Sequence, residues 1–294
     1  MHMKVGFIGL GNMGQPMAAN ILGAGHTLTI YDTRRQTGRD LEAAGAAWAE
    51  NAKAVAVRSE VVFTSLPGTG AVEQVATGAN GVFSGLAGGS TYVDTSTIAP
   101  SAMRRIFAAG TDQGLHVLEA PVSGGIHGAQ DAALTLFVGG NAEDLERVRP
   151  VLESIGSKIV HVGPAGSGNA IKLINNLMMF VNFIGACEGV AMSARAGIDL
   201  RLFLDAIKSS MGQSRIFERT LSLFLDSGRM GANTDLAVKD LRLGIELGSE
   251  LGVPLEVGPL VRDLVVRFRD AGDRGQDEFT DMIPDLLRRS GVDM

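Results

Sequence analysis

The sequence contains a single cysteine, Cys187, among its 294 residues. An internal disulfide is therefore excluded, and we expect Cys187 to be a small buried side chain in a protein of the reducing cytosol. No pair of histidines and no acidic cluster has the spacing of metal ligands, so we predict no metal site.

Positively charged residues are also outnumbered, because the sequence has 26 Lys and Arg residues and 32 Asp and Glu residues. The net charge of −6 argues against a nucleic acid or an anionic membrane as partner. A strand pattern begins at Met3 with no charged and apolar leader before it, so we expect no signal peptide. The longest apolar helical run, residues 177–186, contains Asn182 and is shorter than the roughly 20 residues that span a bilayer. These features together predict a cytoplasmic protein.

Glycine is abundant instead, with 39 residues, and one glycine-rich stretch lies between a strand pattern and a helix pattern. The strand covers residues 4–8 and the helix residues 15–22. In dinucleotide-binding loops the first glycine permits a tight turn, the second admits the pyrophosphate and the third allows close packing. The stretch predicts such a loop, formed by Gly9, Leu10, Gly11, Asn12, Met13 and Gly14.

A second strand pattern, residues 27–31, ends at Asp32, which follows Gly14 by 18 residues. An acid at this place accepts hydrogen bonds from the ribose hydroxyls of the cofactor and repels a 2′-phosphate. Asp32 therefore favours NAD over NADP. Arg34 and Arg35 could bind a 2′-phosphate, so NADP remains possible.

The rest of the first half alternates apolar strand patterns with helical patterns. This alternation predicts an α/β fold with a Rossmann-type, doubly wound, mostly parallel sheet. The further strands are expected at residues 60–65, 91–94, 115–119, 133–138 and 158–162.

Ligands of such sheets bind beyond the carboxyl ends of the strands, where the sequence places Leu66, Pro67 and Thr97. The stretch Ser123, Gly124 and Gly125 also falls there. Its hydroxyl and unhindered N–H groups suit a carboxylate, although an ordinary glycine turn would have the same composition.

The second half contains only helical patterns, so we expect an all-α domain. We place a dinucleotide-binding domain at 1–163 and an all-helical domain at 164–294. Lys172 and Asn176 are four residues apart at the start of the first helix and share one face. A solvated stripe is the alternative to a functional pair. The helices are expected at 167–196, 200–209, 214–226, 233–252, 255–271 and 277–290.

Five stretches, in this order along the chain, resemble the β-hydroxyacid dehydrogenase family. The family includes 3-hydroxyisobutyrate dehydrogenases and tartronate semialdehyde reductases, and the resemblance covers nearly the whole chain. Each stretch alone is unspecific, but all five in the right order are highly specific. They are residues 9–14, 94–97, 120–125, 168–176 and 237–241.

The resemblance implies roles for residues of this chain. Lys172 matches the catalytic lysine of the family and Asn176 its substrate-positioning asparagine. The fold implied is a Rossmann-type domain followed by a helical domain that mediates oligomerisation, so we expect a homodimer or homotetramer. The remaining matches are a carboxylate clamp at Ser123, Gly124 and Gly125, and cofactor contacts at Leu66, Pro67, Thr97 and Lys239.

The function implied is hydride transfer between NAD(H) and a short β-hydroxyacid or its semialdehyde, a small carboxylate substrate, with Lys172 as general acid/base. Imine reductases share much of the pattern but usually lack the lysine. Ala232 stands where many family members have phenylalanine, so the substrate is not fixed. One alternative is an NADPH-dependent glyoxylate or succinic semialdehyde reductase, which Arg34 favours and Asp32 opposes. A non-catalytic dinucleotide-binding scaffold would be expected to lose Lys172 or Asn176.

Overall fold

The computed structural model describes residues 2–292 and comprises two compact units that divide between Lys172 and Leu173. Within those residues, the strands all lie in the first unit, and the second unit consists of helices and loops. This is the α/β fold followed by helices that the sequence predicted. The domain boundary suggested by the sequence, between residues 163 and 164, stays a prediction.

Nine strands are present in the described part of the chain, and helices separate most of them. The strands are β1 (Lys4–Ile8), β2 (Thr27–Tyr31), β3 (Ala47–Trp48), β4 (Val61–Thr64), β5 (Thr91–Asp94), β6 (His116–Glu119), β7 (Val122–Ser123), β8 (Leu134–Gly140) and β9 (Gly156–Gly163). The helices among them are α1 (Gly14–Gly23), α2 (Arg39–Ala43), α3 (Ala52–Ala56), α4 (Thr69–Thr77), α5 (Pro100–Thr111), α6 (Gly125–Gln130) and α7 (Ala142–Leu152).

The later helices begin near the end of the first unit and continue through the second. They are α8 (Ser167–Arg195), α9 (Leu200–Lys208), α10 (Arg215–Leu225), α11 (Thr234–Glu250), α12 (Val257–Asp270) and α13 (Met282–Arg289).

The strands form one sheet in the order β3-β2-β1-β4-β5-β6-β8-β7, and β9 pairs with β8. All pairs from β3 to β6 are parallel, as is β8 with β9. The pairs β6–β8 and β7–β8 are antiparallel. The sheet is therefore mostly parallel, as predicted, and the carboxyl ends of β1, β4, β5 and β6 share one edge.

Successive residues of the central strands are buried on opposite faces of this sheet. Phe7 and Phe63 belong to one apolar cluster, whereas their neighbours Ile8 and Val62 belong to another. Burial on both faces explains the nearly continuous apolar runs of these strands. The second unit has its own core around α8, where Cys187 is buried as the sequence predicted.

One alternative and one expectation from the sequence need correction. Ser123 to Gly125 do not form a simple turn, because Ser123 ends β7 and Gly125 begins α6. Strand β7 forms because it pairs with β8, and this pairing has no signature in the local sequence. The 29-residue α8 is also long and apolar enough, by length and composition, to cross a membrane, which the shorter apolar run did not reveal. Core helices of soluble proteins pass the same test.

Candidate active site

The glycine-rich loop after β1 has the geometry of a nucleotide-binding loop. Gly9 has a φ of +94°, and a Cβ there would lie 2.2 Å from the carbonyl oxygen of Ser65. A Cβ on Gly14 would lie 1.9 Å from the oxygen of Gly9, so both positions require glycine. At Gly11, by contrast, no described atom lies within 4 Å of the Cβ position. This loop packs closely at its ends and leaves room at its middle.

Helix α1 begins directly after this loop, which also contains Leu10, Asn12 and Met13. In the part of the chain that the structure describes, no side chain caps the start of α1, and the first turn of this helix carries no acidic residue. The first N–H groups of a helix and its dipole favour an anion. The residues present therefore fit the pyrophosphate of a dinucleotide.

Asp32 lies beside this loop and is buried. Its Oδ2 accepts a hydrogen bond of 2.7 Å from the N–H of Leu10, and its Oδ1 accepts one of 2.8 Å from the N–H of Arg34. The Arg34 Nε lies 3.4 Å from Oδ1, and its side chain is exposed. The structure thus joins Asp32 to the glycine-rich loop, while its part in cofactor choice stays a prediction.

The loops after β4 and β5 are joined through buried Asp94. The Oγ of Ser96 accepts a hydrogen bond of 2.9 Å from the N–H of Leu66 and donates one of 2.6 Å to Asp94 Oδ1. The Thr64 hydroxyl donates to the same oxygen at 2.7 Å. The predicted cofactor residues Leu66, Pro67 and Thr97 therefore lie in loops that share one anchor.

Asp94 itself has an unusual environment. Burial raises the pKa of Asp94 to about 6, although the hydrogen bonds from Ser96 and Thr64 oppose this rise. Its Oδ2 is buried and has no hydrogen-bond partner among the described residues. Sequence reasoning did not assign this anchoring role to Asp94.

Glu119, at the end of the neighbouring strand β6, is a second buried acid that sequence reasoning missed. Burial raises the pKa of Glu119, and hydrogen bonds from Asn169 and Gly168 oppose that rise. A buried charge of this kind needs partners, so an acid at the end of an apolar strand was a signal that could have been followed.

The Ser123 to Gly125 stretch has a backbone that only glycine adopts readily. Gly124 has a φ of +141° and Gly125 a φ of +67°. A Cβ on Gly124 would also lie 3.0 Å from the Cδ2 of Leu134. The two glycines are thus explained by conformation, and their binding of a carboxylate stays a prediction.

In the second unit, Asp240 joins two of the predicted site residues. Its Oδ2 accepts a hydrogen bond of 2.6 Å from Nδ2 of buried Asn176, and its Oδ1 lies 3.0 Å from the Lys239 ammonium. The Asn176 Oδ1 accepts a bond of 3.1 Å from Asn175. Asp240 therefore fixes the orientation of the Asn176 amide, a role that sequence reasoning missed although Asp240 follows Lys239 directly.

Lys172 is half-buried on α8, four residues before Asn176. This helix runs from the first unit into the second and carries both residues of the predicted pair. Among residues 2–292, no group of three or more His, Cys, Asp or Glu side chains is placed to hold a metal ion. The absence of a metal site stays a prediction.

Two family models match this chain in succession. The first, described as the NAD binding domain of 6-phosphogluconate dehydrogenase, matches residues 4–163. The second, described as NAD-binding of NADP-dependent 3-hydroxyisobutyrate dehydrogenase, matches residues 166–284. The chain belongs to the β-hydroxyacid dehydrogenase family. It is therefore an NAD(P)-dependent oxidoreductase of β-hydroxyacids, and the scaffold alternative is wrong.

Individual relatives agree with this family. The chain is 36% identical to 2-(hydroxymethyl)glutarate dehydrogenase of Eubacterium barkeri, over 99% of this chain and 97% of the relative. It is 39% identical to the NAD-dependent L-serine dehydrogenase of Pseudomonas aeruginosa, over 71% of this chain and 70% of the relative. The solved structure of Mycobacterium tuberculosis 3-hydroxyisobutyrate dehydrogenase with L-serine has a TM-score of 0.88 and 31% identity, covering 97% of this chain and 99% of that one.

Proposed function

We propose that the chain transfers hydride between NAD(H) and a short β-hydroxyacid or its semialdehyde, with Lys172 as general acid/base. The observation that carries this proposal is the start of α8, a largely apolar helix with Lys172 and Asn176 one turn apart. The Asn176 amide is held in one orientation by its hydrogen bond to Asp240. Such preorganisation is what a positioning group requires.

Each of these residues has a defined task in the proposed mechanism. During oxidation Lys172 takes the proton of the substrate hydroxyl, and during reduction its ammonium returns a proton to the same oxygen. Asn176 holds that oxygen by a hydrogen bond. NAD would supply the hydride acceptor when bound, and the glycine-rich loop with α1 would hold its pyrophosphate. Leu66, Pro67, Thr97 and Lys239 would contact the cofactor.

The substrate would be a 3-hydroxypropanoate with a substituent on carbon 2. The named substrates of the three relatives, 2-(hydroxymethyl)glutarate, L-serine and 3-hydroxyisobutyrate, share a carboxylate and a primary alcohol on the β carbon. Ser123, Gly124 and Gly125 would bind the shared carboxylate. We propose that Ala232, small and half-buried, leaves room for the substituent that differs.

NAD is the proposed cofactor because the carboxylate of Asp32 would repel a 2′-phosphate. The second candidate function is an NADPH-dependent glyoxylate or succinic semialdehyde reductase. The exposed Arg34 favours it, since its guanidinium already lies beside Asp32 and partly neutralises that charge.

The chain would act as a cytoplasmic homodimer or homotetramer, without nucleic acid or membrane as partner. An exposed apolar surface of the second unit supports self-association. On α8, Ile174 and Met178 are 47% and 61% exposed, and on α12, Val257 and Leu260 are 52% and 65% exposed. Apolar surfaces of this kind often mark contacts between protein chains. Light scattering of the purified protein would measure the assembly.

The test of the catalytic proposal compares Lys172→Ala and Lys172→Arg. Removing a general acid/base should lower kcat by about 10²–10⁴-fold, while NAD affinity changes little. Arginine should not restore activity, because it stays protonated. The exposed Lys158 on β9 is the matched control, and Lys158→Ala should keep normal turnover.

The assay would follow NADH with 3-hydroxyisobutyrate, L-serine and 2-(hydroxymethyl)glutarate as substrates, each also with NADP. If Lys172→Arg turned over at nearly the normal kcat with a raised KM, Lys172 would be a binding residue only. That result would end the acid/base role and leave the family assignment intact.

A further inference from the structure

The carboxylate of Glu119 accepts hydrogen bonds from the first turn of helix α8. Its Oε1 accepts a hydrogen bond of 2.8 Å from the N–H of Gly168. Its Oε2 accepts two bonds from Asn169, at 3.1 Å from the N–H and 2.6 Å from Nδ2. Glu119 therefore acts as a capping carboxylate that comes from strand β6, where both free N–H groups and the helix dipole favour a negative charge.

Two glycines make this close approach possible. A Cβ on Gly139 would lie 2.2 Å from Oε1 of Glu119. A Cβ on Gly168 would lie 3.0 Å from the Glu119 Cγ and 2.4 Å from the carbonyl oxygen of Phe137. The carboxylate thus occupies a niche that larger residues at either position would close, and its place relative to α8 is tightly defined.

Asn169 extends this contact to a third element. Its Nδ2 donates to Glu119, while its Oδ1 accepts a hydrogen bond of 2.8 Å from the N–H of Ile98. The amide can have only one orientation here, because a flip would place donor against donor and acceptor against acceptor. This fully buried side chain therefore ties α8 to the loop after β5, in which Thr97 directly precedes Ile98.

We propose that Glu119 and Asn169 are positioning residues that fix Lys172 relative to the loop carrying Thr97. Lys172 follows Asn169 by three residues on the same helix, so the phase of the first turn sets where the lysine projects. A misplacement of about 1 Å can lower a rate by about 10²-fold. The inference rests on the proposed acid/base role of Lys172.

Glu119→Gln is the first test, because it keeps the shape of the side chain. Glutamine has one acceptor oxygen, so its NH₂ group must face either the Gly168 donor or the Asn169 donors. We expect kcat to fall by about 10- to 100-fold while the Kd for NAD changes by less than about threefold. Asn51→Ala is the matched control, since Asn51 caps α3 in the same unit by accepting from Ala54 at 2.9 Å.

The control separates positioning from stability. Loss of the Asn51 cap should lower the melting temperature by a few degrees, and kcat should stay within about twofold of wild type. If both variants lost kcat in proportion to their melting temperatures, Glu119 would be a structural residue only and the inference would be overturned. Should Glu119→Gln not fold, Asn169→Ala replaces it, because Glu119 can still accept hydrogen bonds from the backbone N–H groups of the first turn of α8 in that variant.

A double-mutant cycle with Lys172→Ala decides whether the effect acts through the lysine. Once Lys172 is absent, Glu119→Gln should lower kcat no further, so the two losses should not add. Additive losses would refute positioning while leaving the acid/base role of Lys172 standing. Normal kcat in Lys172→Ala alone would instead refute the proposed function, and the inference with it.

Discussion

Substitution of Asp94 by asparagine should remove a pH-dependent loss of stability. Burial raises the pKa of this carboxyl from 3.8 to about 6 in the folded protein. The folded state therefore binds the proton more tightly than the unfolded state between these two values. The stability that this proton contributes is fully present below about pH 4 and is lost as the pH rises through about 6.

The magnitude follows from the size of the shift. Because the pKa of Asp94 is raised by about two, its titration should lower the free energy of unfolding by about 3 kcal/mol between a pH below 4 and a pH well above 6. Asparagine resembles the neutral acid, because its oxygen can accept the bonds of Thr64 and Ser96 and its NH₂ group replaces the unpartnered Oδ2. We therefore expect the free energy of unfolding of Asp94→Asn, relative to wild type, to rise by up to about 3 kcal/mol from pH 4 to pH 7.5.

Urea unfolding can measure this difference in the first unit directly, because Trp48 on β3 is the single tryptophan of the sequence. Carboxyls that do not interact with Asp94 titrate in both proteins and cancel in the difference, whereas Glu119, whose charge also raises the pKa of Asp94, is coupled to it. Asp112→Asn is the control, since Asp112 is exposed at the end of α5 in the same unit. A difference for Asp94→Asn that stayed flat or fell with rising pH would refute the reasoning.

Two further substitutions test the cofactor and substrate sites. Asp32→Ala should lower kcat/KM for NAD by about tenfold or more, since hydrogen bonds to charged groups contribute about 1.5–3 kcal/mol. The ratio of kcat/KM with NAD to kcat/KM with NADP should therefore fall. A wild-type enzyme that already used NADP better than NAD would contradict this assignment. Gly124→Val should raise KM for the β-hydroxyacid by about tenfold with little change in the Kd for NAD. Gly45→Val is its control, because Gly45 also has a positive φ, +111°, with no described atom within 4 Å of its Cβ position. If the two substitutions raised KM equally, a specific role of Gly124 in substrate binding would be excluded.

Local patterns sufficed to predict most of the fold. Residues 4–8, 27–31 and 91–94 are strands in the structure with the predicted bounds, because their apolar runs end at glycine or at polar residues. The two-residue strands β3 and β7 could not be predicted in this way. They exist only because distant strands pair with them, as Ser123 does with Thr135.

The candidate site was predictable only in part, for a similar reason. The glycine-rich loop and Asp32 follow from short-range spacing. The roles of Asp94, Glu119 and Asp240 depend on partners that are 30, 49 and 64 residues away, respectively. No local period encodes such contacts, although a carboxylate at the end of an apolar strand already indicates that a partner exists.

The carboxyl ends of three neighbouring strands carry a buried polar layer. Thr64, Asp94 and Glu119 are in register with one another on β4, β5 and β6. Well-packed apolar residues in place of buried charges are often as stable or more stable, so stability alone does not account for these acids. Their hydrogen bonds lead instead to the loop of Leu66 and to the start of α8. The layer therefore fixes two segments relative to the sheet by hydrogen bonds, namely those proposed to hold the cofactor and Lys172. We accordingly expect the same chemical change to be detected by different measurements: amidation of Asp94 should stabilise the fold at neutral pH, and amidation of Glu119 should lower turnover.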